Sequence, residues 1–216
     1  MIRKIILGTF ALFAAGAVSA STLTLDFDYD FSDPLDLDSA SPDGAGPWAT
    51  AVFDDGGSAG SVTLTINLFA NEVTAFYFNV DDSIGGGSLS IVGTDTSAVS
   101  SSVVTTGTDF KKADADGWFD IYIDLPPPGG DRFTAGETLV YTITGAGIVA
   151  SDFNFQSTPD LVDPNGPFYA AAKFQSTGDG TQSAWVAAVP VPAAVWLFGS
   201  ALGFLGWTKR RAVISK

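Results

Sequence analysis

Ser61-Val62-Thr63-Leu64-Thr65-Ile66-Asn67-Leu68 places an apolar residue at every second position and a polar one between each pair. A strand turns successive side chains to opposite faces, so this period of two describes one buried and one solvated face. The same pattern recurs on both sides of the stretch. Leu23, Leu25, Phe27 and Tyr29 alternate with Thr24, Asp26, Asp28 and Asp30. Phe119, Ile121, Ile123 and Leu125 alternate with Asp120, Tyr122 and Asp124, and Leu139, Tyr141 and Ile143 with Val140, Thr142 and Thr144. Phe76, Phe78 and Val80 follow a short Asn71-Glu72 turn, which predicts a hairpin with the 61–68 strand. Weaker strands are predicted at 49–53, 89–92, 103–105, 153–156, 169–175 and 183–187.

Turn clusters separate these runs: 54–57, 81–87, 126–130 and 177–180 are rich in Asp, Gly, Ser or Pro. Residues 157–167, with Pro159, Pro164 and Pro167, read as an exposed loop. Between 21 and 188 no stretch carries a helical period. The expected fold is all-β: an antiparallel β-sandwich, jelly-roll-like in connectivity. An N-terminal signal helix and a C-terminal transmembrane helix flank it. The expected domains are a signal peptide at 1–20, the sandwich at 21–188 and a sorting tail at 189–216.

Composition narrows the chemistry. The 216 residues include no Cys and no His. That excludes disulfide staples, Cys nucleophiles, Ser-His-Asp triads and the usual zinc sites. A chain of this length must therefore fold on its apolar core alone. Between Ser21 and Pro192 the only basic residues are Lys111, Lys112, Arg132 and Lys173, against all 24 acids. Such a surface repels nucleic acid and anionic lipid and attracts cations.

The two ends carry targeting signals. Arg3 and Lys4 precede an apolar run over 5–17, and Val18-Ser19-Ala20 supplies small or modest side chains before a cleavage site between Ala20 and Ser21. The run is shorter than the roughly 20 residues that a membrane-spanning helix needs. Near the other end, residues 193–207 are uncharged, and Lys209, Arg210 and Arg211 follow as a basic stop that stays on the cytoplasmic side. At about 1.5 Å per residue this helix is short for a bilayer, and Pro190 and Pro192 resist its extension.

Val189-Pro190-Val191-Pro192-Ala193, the Gly-containing apolar stretch Trp196-Leu197-Phe198-Gly199-Ser200-Ala201-Leu202 and the basic tail together resemble a PEP-CTERM sorting domain of the Val-Pro-Leu-Pro-Ala type. Val191 replaces the usual Leu or Glu, and Thr208 precedes the basic cluster. The resemblance implies a bacterial envelope protein recognised by an exosortase-like membrane protease. Residues 189–193 would be its processing motif and exopolysaccharide its surroundings. The precursor would be tethered in the inner membrane and the mature body would reach the cell surface or extracellular matrix. Ala115-Asp116-Gly117-Trp118-Phe119-Asp120-Ile121, Phe168-Tyr169-Ala170-Ala171-Ala172-Lys173-Phe174-Gln175 and the stretch around Ser183-Ala184-Trp185-Val186 also resemble secreted proteins that carry such tails. That group implies no activity.

Candidate ligand chemistry is sparse. Asp114, Asp116 and Asp120 suggest part of a calcium loop, but Lys112 stands at its first position and the closing Glu is missing. A polar turn is the plainer reading, and no cofactor is expected beyond a structural calcium ion. Asp26, Asp28, Asp30, Asp33, Asp36 and Asp38 form an acidic run whose first three members share a strand face by period. It reads as a solvated face unless another acidic loop folds against it. Hydrolysis of glycosides needs two facing carboxyls, and nothing singles out a pair among Glu72, Glu137 and the aspartates. Trp48, Trp118 and Trp185, with Tyr122 and Tyr169, are candidate stacking platforms for sugars, although strand aromatics usually pack in cores. The expected function is that of a non-enzymatic exported matrix protein associated with exopolysaccharide. The alternatives are a carbohydrate-binding module, which requires an exposed aromatic row on one sheet face, and then a glycoside hydrolase.

Overall fold

The computed structural model describes residues 20–33, 35–114, 116–126, 131–160 and 165–189. The expected signal segment before Ala20, and the expected sorting tail and basic stop from Pro190 onward, lie outside the described residues. In chain order the strands are β1 (Thr22–Phe27), β2 (Tyr29–Asp30), β3 (Ala49–Asp54), β4 (Ser61–Leu68), β5 (Glu72–Phe78), β6 (Ser90–Asp95), β7 (Val103–Lys112), β8 (Trp118–Asp124), β9 (Phe133–Thr134), β10 (Thr138–Thr144), β11 (Ala170–Thr177) and β12 (Gln182–Ala188). They form two antiparallel sheets, a 5-stranded one ordered β1-β3-β4-β10-β6 and a 7-stranded one ordered β2-β12-β11-β5-β8-β7, with β9 beside β5. The all-β expectation holds. Among the described residues no helix is long and apolar enough to cross a membrane.

The alternating runs explain why the sheets face each other. Leu25, Phe27, Ala51, Phe53, Leu64, Ile66 and Tyr141 leave the first sheet on one side, and Phe76, Phe78, Ile121, Ile123, Phe174 and Val186 leave the second toward them, all within one core. Phenylalanines lock the sheets edge to face. Phe27 meets Phe76 at 5.5 Å and 73°, and Phe53 meets Phe78 at 5.5 Å and 85°. Phe53 also stacks on Phe153 at 4.4 Å. Edge-to-face geometry sets the positive ring edge against the negative face, adding to the gain from burial.

Several expectations are corrected. The 61–68 and 72–78 strands are not a hairpin. β4 pairs with β3 and β10, whereas β5 pairs with β8, β9 and β11. Leu68 and Val73 both enter the core, from opposite sheets, so the turn between them crosses the sandwich. Asn71 pins that corner with φ of 53°, its Nδ2 donating to Asp43 Oδ2 at 3.0 Å and to the Ser176 carbonyl at 2.9 Å. The acidic run does not share one face, because the chain changes sheets at Asp28, leaving Asp26 on β1 and Asp30 on β2. The segment at 153–156 is no strand. Phe153 ends a 3-10 turn, Ala150–Phe153, that drops its ring into the core. Nor is 157–167 wholly an exposed loop, since Ser157 is buried and its Oγ accepts the Phe168 N–H at 3.0 Å.

Phe119 departs from the face its period predicts. The pairing of β7 with β8 shifts register between Thr106 and Lys111, around Asp109 at φ of 47°. Between those two pairs β7 advances five residues and β8 only two, so the extra residues belong to β7, opposite Phe119. Ile121 and Ile123 remain in the central core, while Phe119 joins a second cluster on the outer face.

Truncating Phe53, which touches both Phe78 and Phe153, is expected to cost about 3–5 kcal/mol. Truncating the exposed Leu37 should change stability by less than about 0.5 kcal/mol. Urea denaturation of Phe53→Ala and Leu37→Ala checks both values.

Candidate functional site: the outer face of the larger sheet

The second cluster, Phe31, Ala75, Tyr77, Ala113, Phe119, Phe168, Ala171 and Ala187 with Tyr122 and Trp185 packed against it, covers the side of the larger sheet that faces away from the core. Strand register builds it in two rungs. Trp185, Lys173, Ala75 and Asp124 are successive partners across β12, β11, β5 and β8. Ala187, Ala171, Tyr77 and Tyr122 form the neighbouring rung. Small residues on each rung make room for large ones on the other. The rings therefore run in a row: Trp185 lies 5.7 Å from Tyr77, and Tyr77 lies 5.1 Å from Tyr122. Phe31 extends the row beyond Trp185 at 6.2 Å.

Polar groups border the row. Lys173 Nζ lies 4.5 Å from the centre of the Trp185 ring, and Lys111 Nζ lies at the same distance from Tyr122. The Tyr122 hydroxyl donates to Asp124 Oδ1 at 2.9 Å. Burial pushes the Tyr122 phenol up to about 12, helped by its bond to Asp124 and by that carboxylate's charge. Burial also raises Tyr77, with the Tyr122 and Asp124 neighbours adding to the effect. Lys173 is lowered by burial, against the opposing pull of Asp114 and Asp36. Tyr77, Tyr122, Asp124, Lys173, Gln175 and Trp185 line a groove of about 450 Å³.

The acidic segments gather at one end of this groove. Lys173 and Trp185 also line a hollow of about 360 Å³ with Asp33, Asp36 and Asp114. That hollow shares Ser32, Asp33, Ser39 and Asp114 with a larger one, of about 710 Å³, which Asp30 and Asp116 complete. Two acidic stretches far apart in sequence thus meet, although local turns occupy several of their oxygens. Asp30 Oδ1 accepts the Ser32 N–H, Asp33 Oδ1 that of Leu35, and Asp36 Oδ1 that of Asp38. Asp116 Oδ2 accepts from Asn165 Nδ2 at 3.2 Å. Asp120 does not join them. It is buried elsewhere, accepting the Val80 and Asp109 N–H groups at 3.2 and 2.8 Å, and burial raises its pKa. Among the described residues no group of three or more acids is arranged to hold a metal ion.

The five aromatic candidates divide. Trp185 and Tyr122 come together in the row. Trp48 is in the core, its Nε1 donating to the Gly44 carbonyl at 3.2 Å, and Tyr169 packs against the same core. Trp118 is half-buried at the start of β8, with Lys112 Nζ 4.5 Å from its ring centre and Lys112 paired to Asp160. Tyr77, which joins Trp185 to Tyr122, was not among the candidates. Its outward facing follows from the inward facing of Phe76 and Phe78 on either side. Glu72 and Glu137 line a separate hollow of about 630 Å³. Glu72 pairs with Arg132, and Glu137 Oε2 accepts the Thr134 N–H at 2.6 Å.

No family model, curated protein or solved structure matches this chain.

The Tyr122 shift has a readable consequence. A phenol whose pKa rises on folding contributes stability that is fully present below about pH 10 and lost as the pH climbs through about 12. An ultraviolet titration should show Tyr122 ionising near 12, and Asp124→Asn should move that midpoint downward.

Proposed function

We propose that this chain is an exported, non-enzymatic protein of the cell envelope or extracellular matrix, and that it associates with exopolysaccharide through the outer face of its larger sheet. The observation that carries the reading is the groove along this row, where the partly exposed Trp185 and Tyr122 flank the buried Tyr77 and where Lys173, Asp124 and Gln175 line the same groove. Sugar rings present flat C–H faces that stack on aromatics, and their hydroxyls donate hydrogen bonds to carboxylates and amide oxygens and accept them from amide and ammonium N–H groups. A row across several strands suits an extended glycan better than a single small molecule. A dedicated carbohydrate-binding module is the second reading, supported by Trp185 and Tyr122 alone, because the Tyr77 ring between them is buried. It differs in requiring one preferred sugar sequence. The internal partners of Glu72 and Glu137 favour a non-catalytic body over a glycoside hydrolase.

The sorting reading rests on the sequence. The basic and apolar start with Val18-Ser19-Ala20 supports export, and Val189-Pro190-Val191-Pro192-Ala193 supports processing by an exosortase-like protease. The precursor would be held in the inner membrane by the short tail helix, and the processed body would pass to the surface or matrix. We describe the body as a jelly-roll-like sandwich because the chain changes sheets at β1–β2, β2–β3, β4–β5, β5–β6, β6–β7, β9–β10 and β10–β11.

Two measurements test these readings. Binding to exopolysaccharide from an exosortase-bearing host should weaken about tenfold in Trp185→Ala, the scale of one aromatic contact, and stay unchanged in Val92→Ala on the other sheet. Equal binding by both variants would remove the row from the reading. The mass of the C-terminus should differ between hosts with and without the protease. Pro190→Ala with Pro192→Ala should leave the longer form in the inner membrane, and a full-length C-terminus in both hosts would show the tail to be a plain anchor.

A further inference from the structure

Asp55 is held unlike any other acid in the described fold. It lies in the turn between β3 and β4, is only 6% exposed, and takes hydrogen bonds from three separate parts of the chain. Its Oδ1 accepts the Ser21 N–H and the Gly57 N–H, both at 2.9 Å. Its Oδ2 accepts the Ser21 hydroxyl at 2.6 Å and the Ala150 N–H at 3.3 Å. The backbone returns the contact, because the Asp55 N–H donates to the Ser21 carbonyl at 3.3 Å. These donors pull the carboxyl well below the usual carboxylate range, the Ser21 hydroxyl first, then the Ser21 and Gly57 amides.

All of those donors are neutral. A nearly buried carboxylate is ordinarily paired with a cation, since neutral donors offset only part of the cost of removing a charge from water. The body's basic side chains are engaged elsewhere. Lys112 pairs with Asp160 and Arg132 with Glu72, while Lys111 and Lys173 lie over Tyr122 and Trp185. The other carboxylates on the packed elements, Asp54 and Asp152, accept the N–H groups of Gly56 and Val149 and add negative charge, not positive. One of the atoms that touch Asp55 is, however, a cation in waiting. The Ser21 nitrogen is the atom that export processing would free.

We propose that Asp55 is the docking site for the α-ammonium group created at Ser21 when the Ala20–Ser21 bond is cleaved, so that removal of the leader supplies the missing counter-charge and tightens the fold. This rests on the export reading given above. Cleavage by a signal-peptidase-type protease is a hydrolysis. The amide C–N bond breaks, water adds its hydroxyl to the Ala20 carbonyl and a proton to the Ser21 nitrogen, and at neutral pH the products are a carboxylate on the leader and an ammonium on Ser21. The nitrogen already sits at hydrogen-bond distance from Asp55 Oδ1, so the ion pair forms without moving either residue. Hydrogen bonds between ionised partners are roughly twice as strong as neutral ones. A start one residue earlier or later places the charge about 3.8 Å along the chain, away from the carboxylate. The site thus reads the position of the cut as well as its occurrence.

The test uses residues 21–216 in detergent, released from a fusion by a site-specific protease so that Ser21 is the first residue. It is compared with the same chain after N-terminal acetylation and with a chain that keeps Ala20. An ordinary α-amine titrates at about 7.7–8.0. Paired with Asp55, the Ser21 amine should titrate about one unit higher and react with an amine-labelling reagent about tenfold more slowly near neutral pH than the Ala20 amine does. Acetylation and retention of Ala20 should each lower the melting temperature. Asp55→Asn should restore ordinary labelling, and the acetylated chain keeps the comparison decisive if that variant fails to fold. Equal labelling rates and equal melting temperatures for the free, acetylated and extended chains would overturn the docking site. Exported protein with an N-terminus other than Ser21 would overturn the processing on which it rests, whatever the isolated amine does.

Discussion

Edge-to-face contact of Phe27 with Phe76 and of Phe53 with Phe78 is the seam along which the two sheets meet. No cysteine is available to reinforce it, so burial of apolar surface must offset the conformational entropy of the whole chain. The seam also fixes what happens on the far side of the larger sheet. With Phe76 and Phe78 committed inward, Tyr77 has to face outward, and register then sets it between Trp185 and Tyr122. Core and candidate site are two faces of the same strands.

The parts of this arrangement legible in the sequence are those that a period of two encodes. The strands at 61–68, 118–124 and 138–144 stand where the alternation puts them, because half-burial of a strand is a local property. Which strands share a sheet is not local. The Asn71 corner looks like a hairpin turn, yet its side chain ties it to Asp43 and Ser176, partners far away in the sequence. Register shifts are equally silent. One lies around Asp109 on β7, opposite Phe119, and another in the β11–β5 pairing falls between Lys173 and Phe174. Phe153 misleads for a different reason, since a single turn of 3-10 helix can bury one ring as well as a strand can.

Charge placement follows from the scarcity of cations. With so few basic residues in the body, the fold uses them where they cover aromatic or buried surface. Lys111, Lys112 and Lys173 each lie over a ring, and Lys112 and Arg132 each neutralise a carboxylate. The aliphatic stems of these lysines also shield apolar surface. Many of the acids take a humbler part, closing turns by accepting backbone N–H groups two residues on, as Asp33, Asp36, Asp54, Asp81 and Asp179 do. An Asp-rich, Glu-poor composition suits that duty, because the short side chain reaches its own backbone.

The larger sheet joins β2 to β12, the second strand of the body to its last. Tyr29 and Asp30 pair with Ala187 and Val186, so one edge of the sheet stays open until the far end of the chain arrives. A polypeptide made N-terminus first therefore keeps β2 without its neighbour until nearly the whole body has been synthesised. Such late, long-range closure is slow to find, because loop-closure entropy must be overcome before the pairing rewards it. The sheet acquires its finished edge only when the last strand has formed.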